Sequence, residues 1–232
     1  MSVLVLWDVD HTLVENAGVS KETYAAAFRS LAGVAPPAAV RTDGRTDRRI
    51  MRDLFESSGL PTPPWPEVEV ALADAGAAHL EAMRSRGAAL PGASSALAAL
   101  AEVPNVVQSL LTGNIEPNAR MKLTAVGLAD VLDFSVGAYG DDSDDRAALV
   151  GLAQRRASQR YGRTFGPQNT LLIGDTPRDV DAGLRGGAHV LAVATGIDSV
   201  EVLQEAGGLL VLPDLCDTGR VVAEVTRLAR DA

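Results

Sequence analysis

The sequence predicts an α/β protein, a doubly wound parallel sheet with an α-helical segment inserted after its first strand. Three observations carry this expectation. Short apolar, β-branched runs alternate with longer Ala- and Leu-rich helical stretches, the pattern of βαβ units around a parallel sheet. One stretch of about 75 residues near the start breaks that alternation, with helical patterning and no convincing strand. Three of the apolar runs end in Asp, Thr or Gly, which would place polar groups at the carboxyl edge where open sheets bind ligands.

The first strand is VLVLW, residues 3–7, and it runs straight into Asp8-Val9-Asp10. Two carboxylates one residue apart repel, and burying them is costly unless a cation compensates. Further strands are expected at VVQSLL (106–111), FSVGAY (134–139), TLLIG (170–174), HVLAVA (189–194) and LLVL (209–212). Helices are expected over roughly 92–102, 116–127, 144–161, 178–186 and 198–206. The insertion spans about 16–88, joined at VENAG and GAALPG, so the core domain comprises 1–15 and 89–232. PTPPWP (61–66) interrupts the insertion, because proline cannot continue a helix interior. It places Trp65 in a loop between helices.

Composition excludes several function classes. Of 232 residues, 47% are apolar and 22% charged, as in an ordinary core-forming protein. The net charge of −9 argues against broad nucleic-acid or anionic-membrane binding, which needs basic surface. The single cysteine, Cys216, allows no intrachain disulfide. With no signal-peptide pattern and no apolar run near the roughly 20 residues that span a bilayer, the expected setting is the cytoplasm. Only two of the 21 basic residues are lysines, Lys21 and Lys122.

Asp8 and Asp10 follow the first strand, Thr112-Gly113-Asn114 follow VVQSLL, and Gly174-Asp175-Thr176 close TLLIG. One such strand end is an ordinary turn. Three together, with paired aspartates among them, point to a site. The constellation resembles the haloacid dehalogenase superfamily. DVDHT matches its first motif, Asp-x-Asp-x-Thr; LLTGN matches the second; IGDTPRD matches the fourth, Gly-Asp-(Ser/Thr)-x-x-Asp. The insertion resembles the mobile helical cap of the phosphoglycolate phosphatase and β-phosphoglucomutase branch.

The resemblance implies a Mg²⁺-dependent phosphatase acting on a small phosphorylated metabolite. Asp8 would be the nucleophile, forming an aspartyl-phosphate, and Asp10 the general acid and base. Metal ligands would be the Asp8 carboxylate, the Asp10 backbone carbonyl and Asp175, the hard oxygen donors that Mg²⁺ prefers. Asp179 would support them from behind, or simply open a helix. Thr112 would bond a phosphoryl oxygen, with backbone N–H groups at Gly113 and Asn114 adding donors.

The usual third-motif lysine followed by proline is absent. Arg146, 29 residues before Asp175 at the opening of a helix, fits that position best, with Lys122 the other candidate and a solvated charge answering DDSDD the bland reading. In the cap, Arg41, Arg45, Arg48, Arg49 and Arg52 crowd RTDGRTDRRIMR. Arg45 falls where related caps place a substrate loop, so it could read a carboxylate or second phosphate. A solvated helix face is the alternative. His11 is expected to be a loop residue and His79 a structural one. Asp at the second position of the first motif favours phosphate esters over carbon–halogen or carbon–phosphorus bonds. A phosphomutase of the same fold and a phospho-accepting receiver module are the rival functions, and a monomer or homodimer is the expected assembly.

Overall fold

The computed structural model describes residues 2–37 and 42–231. Five parallel strands form the sheet: β1 (Val3–Trp7), β4 (Val106–Leu110), β5 (Thr170–Gly174), β6 (His189–Val193) and β7 (Leu210–Leu212). Their order is β4-β1-β5-β6-β7. β1 is fully buried, which explains its unbroken apolar run. Its side chains still alternate, as extended backbone requires. Val3, Val5 and Trp7 pack on one face with α5 (Ala93–Ala101), α6 (Glu116–Ala125) and α10 (Thr218–Asp231). Leu4 and Leu6 pack on the other with α7 (Arg146–Tyr161) and α8 (Pro177–Gly186). Helices thus cover both faces, and β1, flanked by β4 and β5, carries Asp8 to the carboxyl edge between them.

Two short strands escape the sequence pattern. β2 (Val14–Glu15) and β3 (Ala88–Ala89) pair antiparallel. Among the described residues, four helices lie between them: α1 (Val19–Ala32), α2 (Asp47–Ser57), α3 (Trp65–Ala78) and α4 (Leu80–Arg86). These helices bury a cluster of their own around Phe28, Met51, Phe55 and Leu72, to which Ile115 of the sheet unit adds. Pro66 sits in the first turn of α3, where its missing N–H costs nothing. Trp65 therefore opens a helix rather than lying in a loop, and the Arg48 guanidinium stacks 4.6 Å from its ring centre.

FSVGAY is not a strand. Phe134–Val136 form a 3₁₀ turn whose start is capped by the Asp133 carboxylate, accepting from the Ser135 N–H at 2.9 Å. Only Ala138 pairs beside the sheet, as a single bridge to Leu111. α10 was not evident from the sequence, and α9 covers Val200–Glu205. Among the described residues no helix is long and apolar enough to cross a membrane.

Candidate active site

The carboxyl ends of β1, β4 and β5 converge on one small cavity of ≈ 40 Å³. From the sheet side it is lined by Asp8, Asp10, Thr112, Gly113, Arg146 and Asp175. Asn16, Ser20, Tyr24, Gly44 and Arg45 close it from the other side. Of the residues expected at the sheet edge, Asp8, Asp10, Thr112, Gly113, Asn114, Asp175 and Thr176 are thus brought together, on turns that follow the ends of the strands.

Asp8 is buried. Its Oδ1 accepts from the Val9 N–H at 2.8 Å, and its Oδ2 lies 2.9 Å from Arg146 Nη2. Burial pushes its carboxyl up to about 6, against the pull of Arg146 and with a push from Asp179. Arg146 opens α7 and is itself buried. Its Nε and Nη2 donate to Asp179 Oδ1 at 2.9 and 2.5 Å. The bland reading of Arg146 as a solvated charge is thus replaced by a double buried ion pair. The acidic run 141–145 instead meets other arginines: Asp144 pairs with Arg52, and Asp142 with Arg156 at 2.7 Å.

Asp179 serves two purposes at once. At the start of α8 its Oδ2 accepts from the Thr176 backbone N–H at 3.0 Å and the Thr176 hydroxyl at 2.6 Å, closing a capping box. Its Oδ1 holds Arg146. Both oxygens thus have partners within the protein, and Asp179 holds Arg146 in place beside Asp8.

Asp10 has a different partner set. Lys122 Nζ donates to both its oxygens, at 2.9 and 2.6 Å. Asn114 Nδ2 donates to Oδ2 at 2.9 Å, and Asn16 Nδ2 to Oδ1 at 2.8 Å. Burial pushes the Asp10 carboxyl up, but Lys122 and the two amides outweigh it and hold it down at about 2. The two basic candidates are thus not alternatives, since Arg146 faces Asp8 and Lys122 faces Asp10. The repulsion between the paired aspartates is answered by one buried cation each.

Asp175 is buried and accepts from the Thr12 hydroxyl at 2.9 Å. Burial, Asp179 and Asp8 all push its carboxyl well above the usual range. Asp8, Asp175 and Asp179 offer oxygens within 4.8 Å of one another. Four carboxylates here face two cationic side chains, so the site is short of positive charge by two. Its remaining donors are hard oxygens. A divalent cation such as Mg²⁺ fits this set on both counts, with Asp8 and Asp175 the side chains whose oxygens are least committed.

Thr112 accepts from Asn114 Nδ2 at 2.9 Å. Gly113 is needed because a Cβ there would stand 2.0 Å from the Arg45 carbonyl oxygen. That contact comes from the 42–46 loop, which turns at Gly44 with a φ of 63°. Arg45 lines the cavity, but its guanidinium pairs with Asp53; Arg41 lies outside the described residues. His11, in a loop with φ 60°, lines the cavity mouth and its ring lies 3.5 Å from Glu15. His79 Nδ1 contacts the Ala75 carbonyl at the end of α3, away from the cavity.

Sequence reasoning missed Asp47. It opens α2, where its type reads as a helix-start residue. Its carboxylate instead reaches the sheet unit, with Oδ2 accepting from the Ile115 N–H at 2.8 Å and Oδ1 from the Tyr24 hydroxyl at 2.6 Å. Its own N–H donates to the Gly113 carbonyl at 2.7 Å. Asn16 and Ser20 were missed as well, for they carry no motif.

Residues 147–218 match the family described as "HAD-hyrolase-like". No curated protein sequence matches the chain. In three dimensions the chain resembles a hydrolase from Pseudomonas syringae at 21% identity and a TM-score of 0.69, covering 97% of this chain and 99% of that one. It also resembles a protein described as a "predicted phosphatase" from Clostridium acetobutylicum, at 16% identity and 0.68, covering 97% and 99%. CbbY from Rhodobacter sphaeroides, solved in complex with phosphate, aligns at 18% identity and 0.65, covering 94% and 97%. The chain thus has the fold of haloacid dehalogenase-like hydrolases, and its residues 147–218 match that family's sequence pattern.

Proposed function

We propose that the protein is a Mg²⁺-dependent phosphatase of small phosphorylated metabolites, with Asp8 as nucleophile. The observation that carries this reading is the buried Asp8 carboxylate, 2.9 Å from Arg146 on the wall of a cavity it shares with Asp10, Thr112 and Asp175. A phosphoryl group placed there meets a nucleophile, a forked cation and a strand-end hydroxyl together. The likeness to a phosphate-bound structure supports the same reading.

An Asp8 oxygen attacks phosphorus, the bond to the leaving oxygen breaks, and Asp10 gives that oxygen a proton. Water then attacks the aspartyl-phosphate while Asp10 takes its proton, releasing phosphate and restoring Asp8. Asp10 is ionised in the arrangement described, which suits the second task; the first needs the proton back on it. Arg146 gathers the phosphoryl oxygens and is kept in place by Asp179. Asp8, Asp175 and the Asp10 carbonyl would hold Mg²⁺, which when bound would supply Lewis acidity and the missing positive charge.

The four helices act as a cap. A cavity of ≈ 40 Å³ has room for only a few water-sized groups, so substrate entry requires the helical unit to swing away and its return excludes water. Arg45 can read a second anionic group only after its pair with Asp53 parts. The test is phosphate release from a panel of small esters, with Mg²⁺ and with chelator, beside Asp8→Asn. Metal-dependent turnover abolished by that change is expected. Release that persists in Asp8→Asn would sink the assignment of the nucleophile.

A further inference from the structure

Lys122 is buried at 3% exposure, whereas Lys21 is exposed. Burying an ammonium group costs several kcal/mol unless every hydrogen finds an acceptor. Lys122 meets that condition, with Nζ at 2.9 and 2.6 Å from the Asp10 oxygens and 2.6 Å from Asn114 Oδ1. An ammonium has three hydrogens and no acceptor, so none remains for a phosphate oxygen. The same count fixes the Asn114 amide, whose oxygen must face Lys122 and whose nitrogen must face Asp10 Oδ2 and Thr112 Oγ1.

The fold explains how these groups meet. Lys122 lies in the last turn of α6, and helical side chains lean towards the helix start. That lean carries its ammonium back over the helix to the strand end after β4, where Asn114 stands. Serine and asparagine from the entry to α1 complete the shell, Asn16 at 2.8 Å and Ser20 at 3.3 Å from Asp10 Oδ1.

We propose that Lys122 is a positioning residue for Asp10: with Asn114 it fixes the Asp10 carboxylate in one orientation and makes no contact with the phosphate. The proposal rests on the phosphatase reading above. It divides the two buried cations by task, Arg146 serving the phosphoryl group and Lys122 the group that handles protons.

The test exploits leaving groups. A p-nitrophenolate ion departs without a proton, whereas the alkoxide of glycerol phosphate needs one from Asp10. kcat/KM reports the steps through phosphoryl transfer to Asp8. In Lys122→Met it should fall at least about tenfold further on glycerol phosphate than on p-nitrophenyl phosphate, with Asp10→Asn showing the same bias. Asn114→Ala should share the bias, and it decides the matter should Lys122→Met fail to fold by circular dichroism. Equal losses on both esters, or a rise in KM alone, would overturn the proposal and leave the phosphatase standing. Failure of the wild type to hydrolyse either ester would remove both.

Discussion

Arg146 Nη2 touches two buried carboxylates at once, Asp8 at 2.9 Å and Asp179 at 2.5 Å. Nε adds a second contact to Asp179 at 2.9 Å, and this planar two-nitrogen grip is one that the single compact donor of a lysine does not reproduce. Arg146→Lys should therefore keep a positive charge but lose the link to one partner. We expect kcat/KM on any hydrolysed ester to drop by about 10- to 100-fold. Arg146→Met, which strands both carboxylates, should cost about 3–5 kcal/mol in urea unfolding. Wild-type stability in Arg146→Met would show that the buried pairs do not form.

Asp175→Asn separates charge from shape. In the absence of metal, Asp175 is pushed well up by burial and by Asp179 and Asp8, so neutralising it should raise the melting temperature of the metal-free protein. The wild type should gain stability with rising Mg²⁺ by mass action, and Asp175→Asn should not. A thermal shift series against MgCl₂ measures both. An identical Mg²⁺ response in the two proteins would exclude Asp175 as a ligand.

The Asp47 carboxyl sits at about 6, raised by burial and by the charge of Asp10, against the hydrogen bond from Tyr24 and the charge of Lys122. Its folded value thus lies above the ordinary 3.8, so the native state holds a proton that the unfolded chain releases between about pH 4 and 6. Stability contributed by this group falls as pH rises through that window and stays low above it. In Asp47→Asn the amide still accepts from Ile115 but carries no charge. Relative to wild type it should gain stability from pH 4 to pH 7, by at most about 3 kcal/mol. Parallel stability–pH curves would contradict the assignment.

Gly113→Ala would drive a methyl group to 2.0 Å from the Arg45 carbonyl. Backbone cannot yield as a flexible side chain can, so the 42–46 loop must lift. We expect a loss of about 1–3 kcal/mol and a KM raised severalfold, with activity on the smallest esters suffering least. An unchanged KM would mean that this contact plays no part in closure.

Much of this arrangement was legible in the sequence. The five strands announced themselves as apolar runs, and Asp8, Thr112 and Asp175 followed from where those runs stop. What stayed hidden has physical reasons. A two-residue strand such as Val14–Glu15 shows no period, and its pairing with Ala88–Ala89 is a contact across the whole helical unit. FSVGAY has the right composition for a strand, but Asp133 and Gly137 favour a turn, and the Tyr139 hydroxyl donates to the Phe134 carbonyl across it at 2.7 Å. Asp47 looks like an ordinary helix-start residue, while Asn114 and Lys122 stood out in the sequence without showing what their side chains would meet. Their roles come from partners 68, 104 and 112 residues away. Arg45 was legible in position but not in partner, since Asp53 reaches it only once α2 has formed.

The β2–β3 ribbon sets Glu15 opposite Ala88, so the chain leaves the sheet unit and returns to it at adjacent points. Everything between is tethered through a gap one residue pair wide. In evolutionary terms this makes the four helices an exchangeable cassette: a segment of any length can replace them without shifting the register of β1 against β4 and β5. The strand-end residues stay in register under such an exchange, but a new segment has to supply Asp10 with partners of its own, as Asn16 and Ser20 do here.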